Sequence, residues 1–330
     1  MFATIYVERE IREHPRVTEI LERCPGVPVV ECERYGEIFN RKGQSFRAQK
    51  KAPALILARK HGQCVLPTPS GYGFESGAGF YFSHMLNCLY DCRYCFLQGM
   101  YRSAHYVLFV NYEDFADELR LLMQAQLELS GTTVYYSGYD CDSLALEPVS
   151  RFCEYFLPIF RENPAAMLEI RTKSTQVRRL LELEPMSNCV VAMSFSSESA
   201  GERWEHKVPA LAKRLEALGR LQRAGWPVAL RFEPIIAEEN VVSEYAALFE
   251  QVFTILDTTR LHSVSLGEFR MPLGFHKTLV KLYPDEELFA RETRVEEGLA
   301  SLQGGGDEMM RAIEAELQAY VKPSQYYRCA

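Results

Sequence analysis

The chain has 330 residues, 47% of them hydrophobic, and a net charge of −7. That length suits one large α/β domain or one domain with extensions, and no run of about eighteen apolar residues is present to make a membrane-spanning helix. The acidic balance argues against a protein that coats nucleic acid indiscriminately, because phosphate contacts need a basic footprint.

The opening, MFATIYVEREIREHPRV, mixes both charges and lacks the apolar core of a secretory leader, so a cytoplasmic protein is expected. A reducing compartment makes the ten scattered cysteines free thiols or metal ligands rather than disulfide partners. A short helix is expected near Val17–Arg23. The most basic stretch follows, NRKGQSFRAQKK, carrying Arg41, Lys42, Arg47, Lys50 and Lys51. It reads either as a solvated surface segment or as a phosphate contact. ALILA (54–58) is strand-like.

From Gly79 onward short apolar runs alternate with longer amphipathic ones. GFYFS (79–83), TVYYS (133–137), MLEIRTK (167–173), VVAMSFS (190–196), VALRFEP (228–234) and SVSLGEF (263–269) read as strands. Helices are expected near Tyr112–Glu128 and Glu147–Phe160, and over 211–225 and 244–256, where apolar residues recur three and four apart. Six strands alternating with helices imply parallel βαβ units, as a sheet or an incomplete barrel. After Gly267 the pattern weakens; GGG (304–306) breaks the chain before a last helix, and the aromatic tail YYRC (326–329) is expected to pack back. The division is therefore a cap over 1–75, a core barrel over 76–275 and a C-terminal extension on the barrel over 276–330.

Cys88-Leu-Tyr-Asp-Cys92-Arg-Tyr-Cys95 has C-x3-C-x2-C spacing. Three such thiolates can ligate three irons of a 4Fe–4S cubane. With no fourth ligand nearby, one iron stays open to chelate the amino and carboxylate groups of S-adenosylmethionine (SAM). Structural zinc is the rival, although it favours paired C-x2-C units and a fourth ligand. The motif follows the first strand of the series, at the mouth where barrel active sites sit.

CLYDCRYCFLQ resembles the cysteine loop of the spore photoproduct lyase family of radical SAM enzymes. YVEREIREHPRVTEIL, IFNRKGQSFRAQKKAPALILARK, EHKVPALAKRLEALGRLQRAGWPVALRFEPII (205–236) and SLGEFR are similar to blocks of the same family. The resemblance implies a partial (β/α)6 TIM-type barrel and a cluster on Cys88, Cys92 and Cys95. It implies a SAM pocket that includes Lys173 in IRTKST and Ser194 in AMSFS. Tyr94 matches a tyrosine implicated in passing a hydrogen atom, whereas Phe96 stands where the family has a second tyrosine. The family's hydrogen-donating cysteine falls within SGYDCDSLALEP (137–148). Aligning Asp142 with the family's aspartate puts Tyr139 at the donor position. Aligning Cys141 and Ser143 with the family's Cys and Ser makes Cys141 the donor and adds Ser143 to the SAM-binding set.

The resemblance thus implies SAM cleavage to a 5′-deoxyadenosyl radical that repairs UV-damaged pyrimidine DNA, fed by a reductant such as flavodoxin or ferredoxin. The alternatives are the same chemistry on RNA, a peptide or a small molecule, or a non-catalytic iron–sulfur redox sensor.

Overall fold

Strands Thr133–Ser137 and Cys189–Ser194 are buried along their whole length, as expected where helices cover both faces of a parallel sheet. The computed structural model describes residues 2–69, 79–127 and 133–329. It places six strands side by side in chain order, all parallel: Gly79–Phe82, Thr133–Ser137, Ala166–Thr172, Cys189–Ser194, Val228–Ile235 and Leu261–Glu268. These are the six strands expected from the alternation. A seventh parallel strand, Tyr326–Arg328, joins beside Leu261–Glu268 and brings the aromatic tail back onto the core. Val65–Pro67 pairs antiparallel at the opposite edge, beside Gly79–Phe82. The two edges do not pair with each other, so the sheet is a partial barrel.

Parallel neighbours need long crossovers, and helices supply them. Leu211–Arg223 buries Leu215, Leu218 and Leu221 on one stripe and exposes Lys213, Glu216 and Arg220 on the other. Val241–Ile255 buries Tyr245, Leu248, Phe249 and Val252. The helix expected near Glu147–Phe160 is split into Glu147–Ser150 and Phe152–Arg161 by Arg151, whose backbone is left-handed. Tyr112–Leu127 is helical, and its expected end at Glu128 lies outside the described residues.

The N-terminal stretch holds more structure than its sequence pattern shows. Beyond the Pro15–Arg23 helix and the Leu55–Ala58 strand, it carries strands Ile5–Glu8 and Val29–Cys32. These form a second sheet with Tyr106–Phe109 and Met85–Leu86, which come from later in the chain, after the first barrel strand. The expected boundary at 75/76 itself falls outside the described residues. At the other end, Arg270–Pro272, Thr293–Glu296 and Leu299–Leu302 make a small antiparallel sheet, and helix Asp307–Gln318 precedes the tail. One apolar core runs from Phe2 to Val321. A second cluster, including Phe46, Trp204, Phe269, Met271 and Tyr283, packs under the cysteine loop.

Candidate active site

The cysteine loop leaves the first barrel strand and is pinned at both ends. Asn87 adopts a left-handed backbone, and its side chain donates to the carbonyls of Ser103 and His105, both at 2.7 Å. Asp91–Cys92 pairs antiparallel with Glu205–His206, and the Arg93 amide donates to the Trp204 carbonyl at 2.9 Å. The loop therefore arches over the mouth with a fixed course.

Beneath it lies a cavity of about 200 Å³ lined by Cys88, Cys92 and Cys95. Tyr94, Tyr139, Cys141, Lys173 and Ser194 line the same cavity, each from a different strand end or loop position. Ser143 does not. Its hydroxyl is fully buried against Ser137 Oγ at 2.8 Å, below the mouth, because the chain doubles back at Gly138. Gly138 has φ +88°, and a Cβ there would lie 2.6 Å from Ser143 Oγ, so only glycine fits this return.

Burial pushes the thiols of Cys88, Cys92 and Cys95 up, and each raises the others further or is raised by a nearby carboxylate. Lys173 opposes this at Cys92 and Cys95. Three thiols crowded against one cavity become thiolates readily only when a cationic group receives them. Among the described residues, no three His, Cys, Asp or Glu side chains gather as they would around one metal ion. That weighs against mononuclear zinc, whose ligands share one tetrahedron. An iron–sulfur cubane spreads its thiolates over separate irons, so this all-sulfur donor set, facing an open cavity, fits it.

Behind the thiols stands Glu205, a residue the sequence analysis missed. Its buried carboxylate pairs with Lys173 Nζ at 2.8 Å and Arg214 Nη2 at 2.7 Å, and accepts from Ser196 Oγ at 2.9 Å and from the Tyr94 hydroxyl. Burial pushes its carboxyl up, but Lys173, Arg214 and the Tyr94 hydroxyl win and hold it at about 2. Asp142 does comparable work across the mouth. Its carboxylate accepts from the Leu144, Ala145 and Lys173 amides and from Thr172 Oγ1, at 2.6–3.0 Å. Only their EHKVPALAKR and SGYDCDS contexts marked these two carboxylates in the sequence, because each is also tied to Lys173, 32 residues from Glu205 and 31 from Asp142.

The remaining wall is aromatic. Tyr139 packs against Tyr81 with ring centroids 4.4 Å apart and planes tilted by 33°, and Phe96 lies 5.8 Å from Tyr139 and 6.1 Å from Phe275. Burial pushes the Cys141 thiol well up, with Cys88, Asp140 and Asp142 adding to it, so the sulfur keeps its proton.

A family model described as spore photoproduct lyase matches residues 75–298. The chain is similar to the spore photoproduct lyase of Bacillus subtilis (strain 168), 22% identical over 293 residues that cover 86% of this chain and 83% of the relative. It is also similar to that of Geobacillus sp. (strain Y412MC61), 20% identical over 300 residues covering 88% and 85%. A solved spore photoproduct lyase variant with bound AdoMet and dinucleoside spore photoproduct superposes with a TM-score of 0.82 at 18% identity, over 100% of this chain and 98% of that one. Another, complexed with dinucleoside spore photoproduct, gives a TM-score of 0.82 at 16% identity over 99% of each chain. On the match of its barrel and cysteine loop, this chain belongs to the spore photoproduct lyase family.

Proposed function

We propose that this chain is a radical SAM lyase that repairs a UV-induced pyrimidine photoproduct in DNA. One observation carries the reading: a single cavity at the barrel mouth gathers the three motif thiols with Lys173, Ser194 and Cys141. Cys88, Cys92 and Cys95 would hold a 4Fe–4S cluster, and Lys173 and Ser194 would hold SAM beside it. When bound, that pair supplies a 5′-deoxyadenosyl radical able to take a hydrogen atom from the lesion. The electron would come from a small reductant such as flavodoxin or ferredoxin. A lesion lowers the cost of bringing the damaged bases out of the stack and into the mouth.

The residues divide the work. Lys173 spends one N–H on Glu205 and keeps the others for the SAM carboxylate. Tyr94 commits its hydroxyl hydrogen to Glu205, so it positions that carboxylate. Phe96 has no hydrogen to give. Return of a hydrogen atom to the substrate radical then falls to Cys141 or Tyr139, which both face the cavity. Cys141 holds the transferable form, a protonated thiol with a weak S–H bond.

The alternative within the same chemistry is another substrate, which Phe96 and the Tyr139–Tyr81 wall favour. A redox sensor would have no need of Lys173 and Ser194 beside the thiols. Anaerobically reconstituted protein should hold about four irons, as a cubane requires, and make 5′-deoxyadenosine from SAM with dithionite. Adding dinucleoside spore photoproduct should release the repaired dinucleotide. Alanine at all three cysteines should abolish SAM cleavage; 5′-deoxyadenosine from that variant would sink the cluster assignment. Cleavage of SAM without repair would move the chain to another substrate.

A further inference from the structure

The most basic stretch of the chain divides in two. Arg41, Lys42, Arg47 and Lys51 are exposed. Lys50 is not available to phosphate: its side chain is only 10% exposed and points under the cysteine loop. The Phe46–Lys51 helix that carries it is held at three points. Ser45 Oγ accepts from the Ala48 amide at its N-terminus, Gln49 Oε1 accepts from the Ala104 amide at 2.9 Å, and Lys207 Nζ donates to the Lys50 carbonyl at 3.1 Å.

From that fixed base the Lys50 ammonium passes the Phe46 ring at 5.6 Å and enters the interval between Cys88 and Cys92. There it donates to the Tyr90 carbonyl at 3.4 Å and pairs with Asp91 at 3.6 Å. Asp91 also meets Arg93 at 2.8 Å, and Arg93 is matched by Glu286 at 3.0 Å. Lys50 is close enough to act electrostatically on the Cys88 and Cys95 thiols as well as on Asp91. Burial pulls its ammonium below the ordinary lysine value, and those three groups oppose the pull.

We infer that Lys50 is an electrostatic tuning residue for the cluster held by Cys88, Cys92 and Cys95, its buried ammonium raising the cluster's reduction potential. Reduction adds negative charge beside three thiolates, and a fixed cation favours the reduced form. Exposed lysines are screened by salt, whereas a buried one acts through a poorly polarisable medium. Removing Lys50 makes the surroundings one unit more negative whatever the balance of the other charges. The inference rests on the cluster assignment above.

The test compares full-length parent, Lys50→Met, Lys50→Arg and Asp91→Asn after anaerobic reconstitution. Iron content and the midpoint potential, followed by EPR during redox titration, are the readouts. Lys50→Met should keep its iron and shift the reduction equilibrium about tenfold against reduction, about 59 mV for one electron. Lys50→Arg should stay near the parent, and Asp91→Asn should shift the other way. An unchanged potential in iron-loaded Lys50→Met overturns the inference. Should Lys50→Met fail to load iron, Asp91→Asn decides: a raised potential supports tuning and an unchanged one overturns it. Loss of iron from both would also overturn it, leaving the pair as a mechanical clamp. A parent that holds no cluster would instead fault the assignment on which the inference stands.

Discussion

Cys141 and Tyr139 line the same cavity two residues apart, yet their chemistry differs. Tyr139 is packed against Tyr81, the two rings tilted by 33°, and flanked by Phe96, an arrangement suited to shaping an apolar wall. Cys141 is buried with its proton retained, which is the state a hydrogen-atom donor must have. In the proposed reaction, Cys141→Ala should therefore leave 5′-deoxyadenosine formation intact and lower the yield of repaired product per 5′-deoxyadenosine by roughly tenfold or more, a partition of about 1.4 kcal/mol. Tyr139→Phe, which keeps the ring and removes only the hydroxyl, should leave that ratio near the parent value. Product analysis by liquid chromatography reads both. The reverse pattern would transfer the role to Tyr139.

At the scale of elements, the site depends on ties between chain segments more than on any one strand. Asp142 fastens the loop after the second barrel strand to the end of the third by accepting four donors. Asp142→Asn presents an amide NH2 to one of those donors and should cost about 1–3 kcal/mol, the penalty of leaving a buried donor unmet. A fall in the urea midpoint with unchanged slope would show it, and an unchanged midpoint would mean the loop is held by other contacts. Such ties explain what the sequence made legible. The six barrel strands stood out because each is an apolar run bounded by helical periodicity, and the cysteine motif because its ligands lie within eight consecutive residues. Strand Val29–Cys32 did not, since Val29 and Val30 face outward on an edge and Glu31 interrupts the run. Glu205 stayed hidden because Lys173 and Tyr94 are 32 and 111 residues away. Lys50 was indistinguishable from its solvated neighbours, because a basic run carries no sign of which ammonium turns inward.

Across the whole molecule, the interior of the partial barrel is unusual in carrying charge where such barrels hold branched apolar side chains. Glu169 on the third strand and Arg231 on the fifth are both fully buried and meet at 2.7 Å. Arg171 adds a second contact to Glu169 at 2.8 Å, and Arg231 also reaches Ser263 Oγ at 3.1 Å. The Tyr327 ring of the returning tail lies 5.3 Å from the Arg231 guanidinium, so the last strand closes over this network. The pair joins strands that are not neighbours in the sheet, and Arg171 of the same network lies two residues before Lys173, which lines the mouth. Burial alone would raise the Glu169 carboxyl, but the two guanidiniums win and hold it at about 2. A carboxyl depressed on folding stabilises the fold fully above its ordinary value of 4.5, and the contribution drains away as pH falls toward about 2. Arg231→Met should cost about 3–5 kcal/mol near neutral pH, because it leaves a buried carboxylate short of its main partner. Glu169→Gln should be less stable than the parent at neutral pH and lose less stability on acidification. Urea unfolding of the three proteins, repeated at several pH values from neutral down toward about 2, measures both effects. Parallel pH curves for the parent and Glu169→Gln would show that this carboxylate does not govern acid stability, and that the barrel is held by its apolar layers alone.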